Sequence, residues 1–316
     1  MFEDFPLQVR DERQFKALTG TSIEQFERLE KEFQRVYEEE KEAAYDAAVK
    51  AGKRKRKLGG GRKGVLNSIR IKLLFLLYYL KLYPTFDTLG SVFGLSRSKA
   101  CKNIHALMPL LHTSLLRLEV LPYREFESVE AFREAFKNTE ALLLDATERP
   151  HQRPVNDEKQ SELYSGKKKD HTVKNTVIST KDKVIRFVGH TMSGSNHDFA
   201  MLKKEFPSDK PWFKDVLLYL DLGYTGILNQ YEGDDIQIPH RKPRKSKNNQ
   251  NPQLTEEQRE YNRTVGKIRI FVENSIAGLK RYNILVHDFR NKKDNFVDDT
   301  IAICAGLWNM MIGAEV

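Results

Sequence analysis

Residues Ala141–Thr147 read ALLLDAT, in which four apolar residues are followed directly by an acid. So short an apolar run predicts a strand buried in a sheet. The same pattern recurs as VLLYLD over Val216–Asp221. Asp145 and Asp221 therefore each end an apolar strand, where a charge is costly to bury unless it is paired or bound to a cation. Because ligands collect at strand ends in such sheets, both acids are candidate site residues.

The flanking pattern predicts a mixed α/β sheet covered by helices. Two alternating, β-branched runs predict a hairpin around Thr180–Lys183, and a further strand follows later in the chain. The predicted strands are His171–Ser179, Val184–His190 and Ile236–His240. The predicted helices are Ser128–Phe136, Ser195–Phe206, Thr255–Tyr282 and Phe296–Ile312.

The first part of the chain is helical in pattern. Residues 22–50 have apolar side chains at spacings of three and four, typical of an amphipathic helix. A helix over Leu66–Tyr83 and a short one over Thr85–Phe93 follow, and after Gly94 a helix capped by Ser96 runs to Pro109. Two short helices joined by a tight turn predict a helix-turn-helix, although an ordinary helical hairpin has the same pattern. The second helix leaves these residues for solvent or DNA: Arg97, Ser98, Lys99, Lys102 and Asn103.

Positive charge is concentrated upstream of that motif. The chain has 316 residues with 53 Lys and Arg against 44 Asp and Glu, a net charge of +9. Between Asp46 and Asp87 there are eleven Lys and Arg and no acid. Such a segment favours a DNA contact over a merely solvated linker. The basic residues of the glycine-rich linker are Lys53, Arg54, Lys55, Arg56, Lys57, Arg62 and Lys63, and a second basic loop includes Arg241 and Lys242.

Composition excludes fibrous and mostly disordered proteins, since 40% of the residues are hydrophobic. The longest apolar run, Leu73–Leu80, is far shorter than the roughly 20 residues of a membrane-spanning helix, so we expect no membrane association. The start of the chain lacks a secretory signal, and we expect a cytoplasmic protein associated with the bacterial nucleoid. Four segments are predicted: an amphipathic helical region at 1–52, a basic linker at 53–64, a helix-turn-helix domain at 65–138 and a catalytic domain at 139–316.

An ordered series of motifs then carries a resemblance. LLLDAT, YSGKKKDHTVK, GSNHDF, LDLGYTG and RIFVENSIAGLKRYNIL occur in that order from Leu142 to Leu285. The series resembles the catalytic domain of DDE-type insertion-sequence transposases, and most of all the branch of insertion sequence five and the Harbinger elements. The resemblance extends from about Leu66 to the C-terminus. It implies an RNase-H-like catalytic domain behind an all-α helix-turn-helix domain.

The resemblance also implies the site residues. Asp145, Asp221 and Glu273 would be the catalytic triad and would hold two Mg²⁺ ions, with Mn²⁺ as a substitute. Asp198 is a rival for the second ligand. Arg269 and Lys280 match family positions that would contact the DNA of the transposon end. Lys167 and His171 match the family's stretch after the first strand and are candidate DNA contacts, although a charged hairpin edge would have the same pattern.

The implied function is that of a DNA transposase. It would bind the terminal inverted repeats of its element as a homodimer or larger assembly, cleave the ends by metal-dependent hydrolysis and join the 3′ hydroxyls to target DNA. Two alternatives stay open at the level of sequence. One is a domesticated DNA-binding regulator, and the other is a nuclease of the same fold that lacks strand transfer.

Overall fold

The computed structural model describes residues 8–57, 59, 64–233, 235–245, 250–314 and 316. These residues form two compact units. The helical unit takes its residues from Met1–Leu121, Arg281–His287 and Asp299–Glu315. The sheet unit takes them from Pro122–Lys280, Asp288–Asp298 and Val316. The four-segment division made from sequence stays a prediction.

Five helices open the helical unit. They are α1 (Glu12–Thr19), α2 (Ile23–Lys50), α3 (Ile69–Leu82), α4 (Phe86–Phe93) and α5 (Arg97–Arg117). The amphipathic pattern correctly predicted α2, which begins at a capping box formed by Ser22 and Gln25. Phe26, Leu29 and Phe33 on its apolar stripe are buried, and α2 packs against α3 and α5. That stripe is therefore used within the helical unit.

Helices α4 and α5 form the tight corner that the sequence predicted. Thr85 and Ser96 cap the two helices, and Gly94 ends α4 in the left-handed region at φ 66°. Gly90 is required by a close approach, because a Cβ there would lie 2.4 Å from the carbonyl oxygen of Leu95. The corner is thus built from caps and glycines at the predicted positions.

The predicted end of α5 at Pro109 is wrong. The helix continues through Pro109 to Arg117. Proline inside a helix costs about 3 kcal/mol through a lost hydrogen bond and a clash. The continuation buries Leu111 and Leu115 completely, and each buried leucine contributes about 1.5–3 kcal/mol. Burial of the second half of the helix therefore outweighs the proline.

The sheet unit is built on a mixed sheet of seven strands. They are β1 (Leu142–Pro150), β2 (Tyr164–Ser165), β3 (Asp170–Ser179), β4 (Ile185–Val188), β5 (Met192–Ser193), β6 (Leu217–Tyr219) and β7 (Asp235–Gln237). Strand β3 pairs antiparallel with β1 on one edge and with β2, β4 and β5 on the other, while β6 and β7 extend the sheet parallel to β1. An antiparallel meander continued by parallel strands is the mixed sheet expected of an RNase-H-like domain. The sequence placed the end of β1 at Thr147, but pairing with β3 continues to Pro150.

Helices cover both faces of this sheet. They are α6 (Val129–Phe136), α7 (Asp157–Leu163), α8 (Asp198–Glu205), α9 (Ile227–Gln230) and α10 (Glu256–Leu279), and α11 (Phe296–Met311) ends the chain's regular structure. Leu142 and Leu144 face an aromatic core that includes Phe132 and Phe206. Successive strand residues point to opposite faces, so Asp145 points to the other face, on which α10 packs. The sequence predicted neither α1 nor α7.

Candidate active site

Asp145 and Asp221 lie side by side because of the register between two parallel strands. Leu142 pairs with Leu218 and Leu143 with Tyr219. Each aspartate lies two residues beyond the last position at which β1 and β6 pair. The register therefore brings the two acids to the same edge of this strand pair. The two acids therefore lie together as expected, but the prediction that Asp145 ends its strand is wrong, because pairing with β3 carries β1 past it to Pro150.

Arg269 on α10 contacts both aspartates. Its Nη2 lies 3.6 Å from Asp145 Oδ2, and its Nη1 lies 3.3 Å from Asp221 Oδ1. The arginine side chain is largely buried. In the part of the chain that the structure describes, its Nε atom has no hydrogen-bond acceptor. One guanidinium thus bridges two carboxylates at the centre of the sheet edge.

The electrostatics of Asp145 set it apart from a structural acid. The pKa of its carboxyl is raised to about 6, with burial as the largest cause and the carboxylates of Asp221 and Asp198 as smaller contributions in the same direction. The backbone N–H of Ala146 donates a 2.8 Å hydrogen bond to Oδ1, and this bond and Arg269 oppose the shift. A buried carboxylate with so few donors is suited to bind a further cation.

Glu273 does not join this pair. It lies on α10 four residues after Arg269 and is exposed. Among the described residues, no group of three or more His, Cys, Asp or Glu side chains is arranged to hold a metal ion. The structure therefore brings together two members of the expected triad, and the metal role of all three stays a prediction.

Asp198, the rival ligand, begins α8 and is bound by a lysine. Lys174 Nζ lies 3.1 Å from Asp198 Oδ1 and also donates to the carbonyl of Asn196 at 2.9 Å. His197 caps α8, where its Nδ1 accepts a hydrogen bond from the N–H of Phe199. Asp198 thus lies near the aspartate pair but is neutralised by an adjacent, buried ammonium group.

Two further residues lie beside the site and were not predicted from the sequence. Lys174 is one, and its position in the alternating run HTVKNTVIS places it on the face of Thr172 and Thr176. Tyr224, inside the motif LDLGYTG, is the other: burial raises the pKa of its phenol well above the ordinary value, and nearby Asp198 adds to the shift. Alternation could have identified Lys174, whereas the burial of Tyr224 follows from tertiary packing.

Comparison with known proteins identifies the family. Residues 144–309 match the family described as DDE superfamily endonuclease. Residues 65–117 match the helix-turn-helix of DDE superfamily endonuclease. The chain belongs to the DDE superfamily of endonucleases.

A curated relative supports the same conclusion. The probable transposase for insertion sequence element IS702 of Microchaete diplosiphon is 31% identical over 253 residues, which cover 78% of this chain and 82% of the relative. No solved structure matches the chain significantly. The protein is a transposase of the DDE family with a DNA-binding helix-turn-helix. Its assignment to the branch of insertion sequence five and Harbinger stays a prediction.

The helix-turn-helix of this transposase presents most of its predicted contact residues to solvent. Arg97, Ser98, Lys99 and Lys102 are exposed at the start of α5. Asn103 is half-buried, and its side-chain amide donates a 2.8 Å hydrogen bond to the carbonyl of Lys99. These residues form a polar surface on the helix that would read DNA.

The other predicted DNA contacts are spread over both units. Lys53–Lys57 are exposed, whereas Arg62 and Lys63 lie outside the described residues. The side chain of Arg241 reaches the carbonyl of Leu222, one residue after Asp221 (3.4 Å), and Lys242 is exposed. Lys167 is exposed beside the half-buried His171, and Lys280 caps α10 with a pKa lowered by burial and by Lys168.

Members of this family use divalent metal ions, and the residues at the strand edge fit such an ion. Carboxylate oxygens are the ligands that Mg²⁺ and Mn²⁺ prefer. Asp145 is buried and receives little hydrogen bonding, so a cation would compensate its charge. No described helix is long and apolar enough to cross a membrane.

Proposed function

We propose that this transposase binds the terminal inverted repeats of its own element, hydrolyses phosphodiester bonds at the two ends and joins the freed 3′ hydroxyls to target DNA. The observation that carries the proposal is the pair Asp145 and Asp221 at the edge of adjacent parallel strands, bridged by Arg269. The family match and the helix-turn-helix support it.

The cofactor of this proposal is Mg²⁺, with two ions bound and Mn²⁺ as a substitute. Asp145, Asp221 and Glu273 would hold the ions. Bound divalent ions activate a water and stabilise the leaving oxygen in phosphodiester cleavage. Glu273 belongs to this set because it lies on the face of α10 that presents Arg269, one turn away.

The chain's own residues position the DNA strand. The two aspartates keep negative charge at the strand edge, and Arg269 between them supplies a fixed guanidinium for a phosphate of the transposon end. Lys280 caps the same helix, while His171 lies at the start of β3 and Lys167 lies in the turn before it. Arg241 and Lys242 extend the positive surface next to the turn that follows Asp221.

Recognition is assigned to the helical unit. Arg97, Ser98, Lys99, Lys102 and Asn103 would read base edges, and the basic segment would contact phosphates over Lys53–Lys57 and at Arg62 and Lys63. Because the two ends of an element must be paired, we expect a homodimer or a larger assembly on DNA.

Variants of the three acids test the catalytic assignment. We expect Asp145→Asn, Asp221→Asn and Glu273→Gln each to abolish cleavage of a labelled end duplex in Mg²⁺, because each removes a metal-binding charge. Binding of the duplex in a gel-shift assay should survive. The matched control is Glu257→Gln, which changes another exposed acid on α10.

The same assay separates the alternatives. Joined products on a target plasmid would distinguish a transposase from a nuclease without strand transfer. Full cleavage by all three variants would show that the triad is misassigned. Binding without any cleavage by the unmodified protein would favour a domesticated regulator.

The linker is tested by salt dependence. Replacing Lys53–Lys57 by glutamine should weaken binding to all sequences and reduce the slope of log K against log salt by up to about 0.9 per lost phosphate contact. Arg97→Ala or Asn103→Ala should instead reduce the preference for the end sequence. Equal salt slopes with and without the linker charges would contradict this division of roles.

A further inference from the structure

Arg269 lies against the carboxylate oxygens that the proposed ions would use. Its Nη2 is 3.6 Å from Asp145 Oδ2, and its Nη1 is 3.3 Å from Asp221 Oδ1. A guanidinium and a divalent ion are both positive, so they repel each other when they share the same carboxylates. Each therefore weakens the binding of the other at this edge of the sheet.

The contacts of Arg269 are longer than those of a tightly held ion pair. Charge-assisted hydrogen bonds from nitrogen to a carboxylate oxygen usually span about 2.7–2.9 Å. Both contacts of the guanidinium exceed that range, and its buried Nε has no hydrogen-bond acceptor among the described residues. A buried donor without an acceptor is costly, and a move of the side chain toward solvent would remove that cost. Arg269 is thus poorly secured between the two carboxylates.

The cation beside the neighbouring acid is held differently. Lys174 Nζ lies 3.1 Å from Asp198 Oδ1 and also donates to the carbonyl of Asn196 at 2.9 Å. Two close acceptors on one ammonium make Lys174 a stable part of the fold. Of the two cations, Arg269 is therefore the one that can leave its acids.

The charge of the strand edge favours an exchange that depends on DNA. Two carboxylates and one guanidinium leave a single net negative charge, which attracts two divalent ions only weakly. A DNA phosphate would pair with the guanidinium and would bring its own negative charge. The side chain of Asp221 is 46% exposed, so this edge is accessible from solvent. The DNA that Arg269 would contact is thus also the group that would release the carboxylates.

We infer that Arg269 makes metal binding depend on DNA: it pairs with Asp145 and Asp221 in the free protein and passes to a phosphate when end DNA binds. This inference rests on the proposed function, because it needs divalent ions at the two aspartates. Coupling between two ligands is reciprocal, so the ions must tighten DNA binding by the same factor as DNA tightens theirs. The free transposase would therefore bind few ions before its DNA is in place.

Titration of Mn²⁺ into the full-length protein without DNA tests the inference directly. Electron paramagnetic resonance reports the free ion, so the measurement needs no catalytic activity. We expect Arg269→Gln to bind Mn²⁺ roughly tenfold more tightly than the unmodified protein, because it removes the competing charge. The matched control is Lys267→Gln, which removes an exposed cation from α10 and should change the affinity by less than about twofold.

Two further measurements locate the effect. Asp145→Asn, added to Arg269→Gln, should abolish the extra Mn²⁺ binding. The second measurement adds an end duplex that is already cut and carries a 3′-dideoxy terminus, so that no reaction follows, and Mn²⁺ bound by the duplex alone is subtracted. With this duplex bound, the gap between the unmodified protein and Arg269→Gln should shrink to about twofold or less, since both proteins then lack the competing charge.

The opposite results would overturn the inference. Equal Mn²⁺ affinity of the unmodified protein and Arg269→Gln without DNA, with normal cleavage by the unmodified protein, would overturn this inference alone. A tenfold gap that persists with the duplex, or extra binding that survives Asp145→Asn, would do the same. A misfolded variant cannot imitate the expected result, because it would bind Mn²⁺ less tightly.

Arg269→Lys provides a second variant that keeps the charge. Its compact ammonium lacks the planar fork that reaches both carboxylates, so we expect a Mn²⁺ affinity between those of the unmodified protein and Arg269→Gln. Weaker binding by both variants would mean that Arg269 supports the ligands instead of competing with the ion, and would overturn the inference. An unmodified protein that neither binds Mn²⁺ with the duplex nor cuts an intact end would overturn the proposed function as well.

Discussion

Asp145 and Asp298 are two partly buried acids of the sheet unit with opposite electrostatics. Their side chains are 22% and 21% exposed, and each lies beside an arginine. The pKa of Asp145 is raised to about 6, whereas the pKa of Asp298 is lowered despite the opposing effect of burial. Because the two side chains are almost equally exposed, burial alone does not explain why their pKa values shift in opposite directions.

The donors around each carboxylate do explain it. Asp298 Oδ1 lies 2.5 Å from Arg124 Nη2 and accepts hydrogen bonds from the N–H and hydroxyl of Thr191 at 2.7 and 2.8 Å. Asp145 accepts from Ala146, and its arginine stays 3.6 Å away while also facing Asp221. A carboxylate with several close donors and a close cation stabilises the fold, while one that is buried with few donors is suited to bind a ligand.

The largest effect should come from exchanging each acid for its amide. We expect Asp298→Asn to lower the free energy of unfolding by about 3 kcal/mol, because it breaks the ion pair with the partly buried Arg124. Asp145→Asn should leave that free energy unchanged or raise it slightly, because the raised pKa of Asp145 means that the fold disfavours its charge at neutral pH. Urea unfolding of both variants at neutral pH measures the difference.

Cleavage should rank the two variants the other way. Asp298→Asn, assayed well below its unfolding temperature, should still cut the end duplex, and Asp145→Asn should not. Comparable stability losses in both variants would break the distinction between a structural and a functional carboxylate.

The sequence predicted Asp145 more readily than Asp298 for a physical reason. The apolar run LLLD marks a buried strand and a charge within it in four residues, so local pattern is enough to single out Asp145, although β1 continues past it. Asp298 is recognised only through Arg124 and Thr191, which are more than one hundred residues away in the chain. Likewise the spacing of Arg269 and Glu273 predicted a shared helix face, but the contact of Arg269 with both aspartates depends on the register of β1 and β6.

Two errors of the sequence-based prediction concern helices, namely the end of α5 and the existence of α7. Pro109 marked a helix end that the buried leucines of α5 override, and the polar residues of α7 gave no apolar period to detect. The sheet, the helix-turn-helix corner and the position of the aspartate pair were predictable, whereas the donors that set each acid's pKa were not.

A test of intermediate expected size uses Glu205, which lies in the sheet unit. Its pKa is raised, as is that of Asp145, whereas the pKa of Asp298 is lowered. Burial raises its pKa to about 7, with the Thr176 hydroxyl and Arg124 opposing. Below the ordinary pKa of 4.5 the acid is protonated in the folded and unfolded states alike. As pH rises from there through about 7, the unfolded state ionises first, so stability falls by roughly 1–3 kcal/mol.

Glu205→Gln should remove the share of this loss that Glu205 contributes, while Asp145, whose pKa is raised to about 6, keeps its own share. The measurement is urea unfolding at about pH 5 and about pH 8, taken as the difference between the two values. Glu140→Gln, which changes an acid that is 76% exposed, should leave the pH dependence as it is. Parallel losses in the unmodified protein and Glu205→Gln would mean that Glu205 has its donors after all and belongs with Asp298.

The smallest expected effect comes from removing one threonine hydroxyl near each of the two aspartates, Asp298 and Asp145. Thr191 donates its hydroxyl to Asp298, while the buried hydroxyl of Thr147, two residues after Asp145, has no hydrogen-bond partner in the described part of the chain. Thr191→Val should therefore cost about 1 kcal/mol of unfolding free energy, and Thr147→Val should be neutral or slightly stabilising. Valine has nearly the shape of threonine, so differences in packing stay small, and urea unfolding of both variants resolves the gap. Equal costs would mean that Asp145 lies in a polar network as complete as that of Asp298, and the case for a ligand-binding role at Asp145 would lose its electrostatic support.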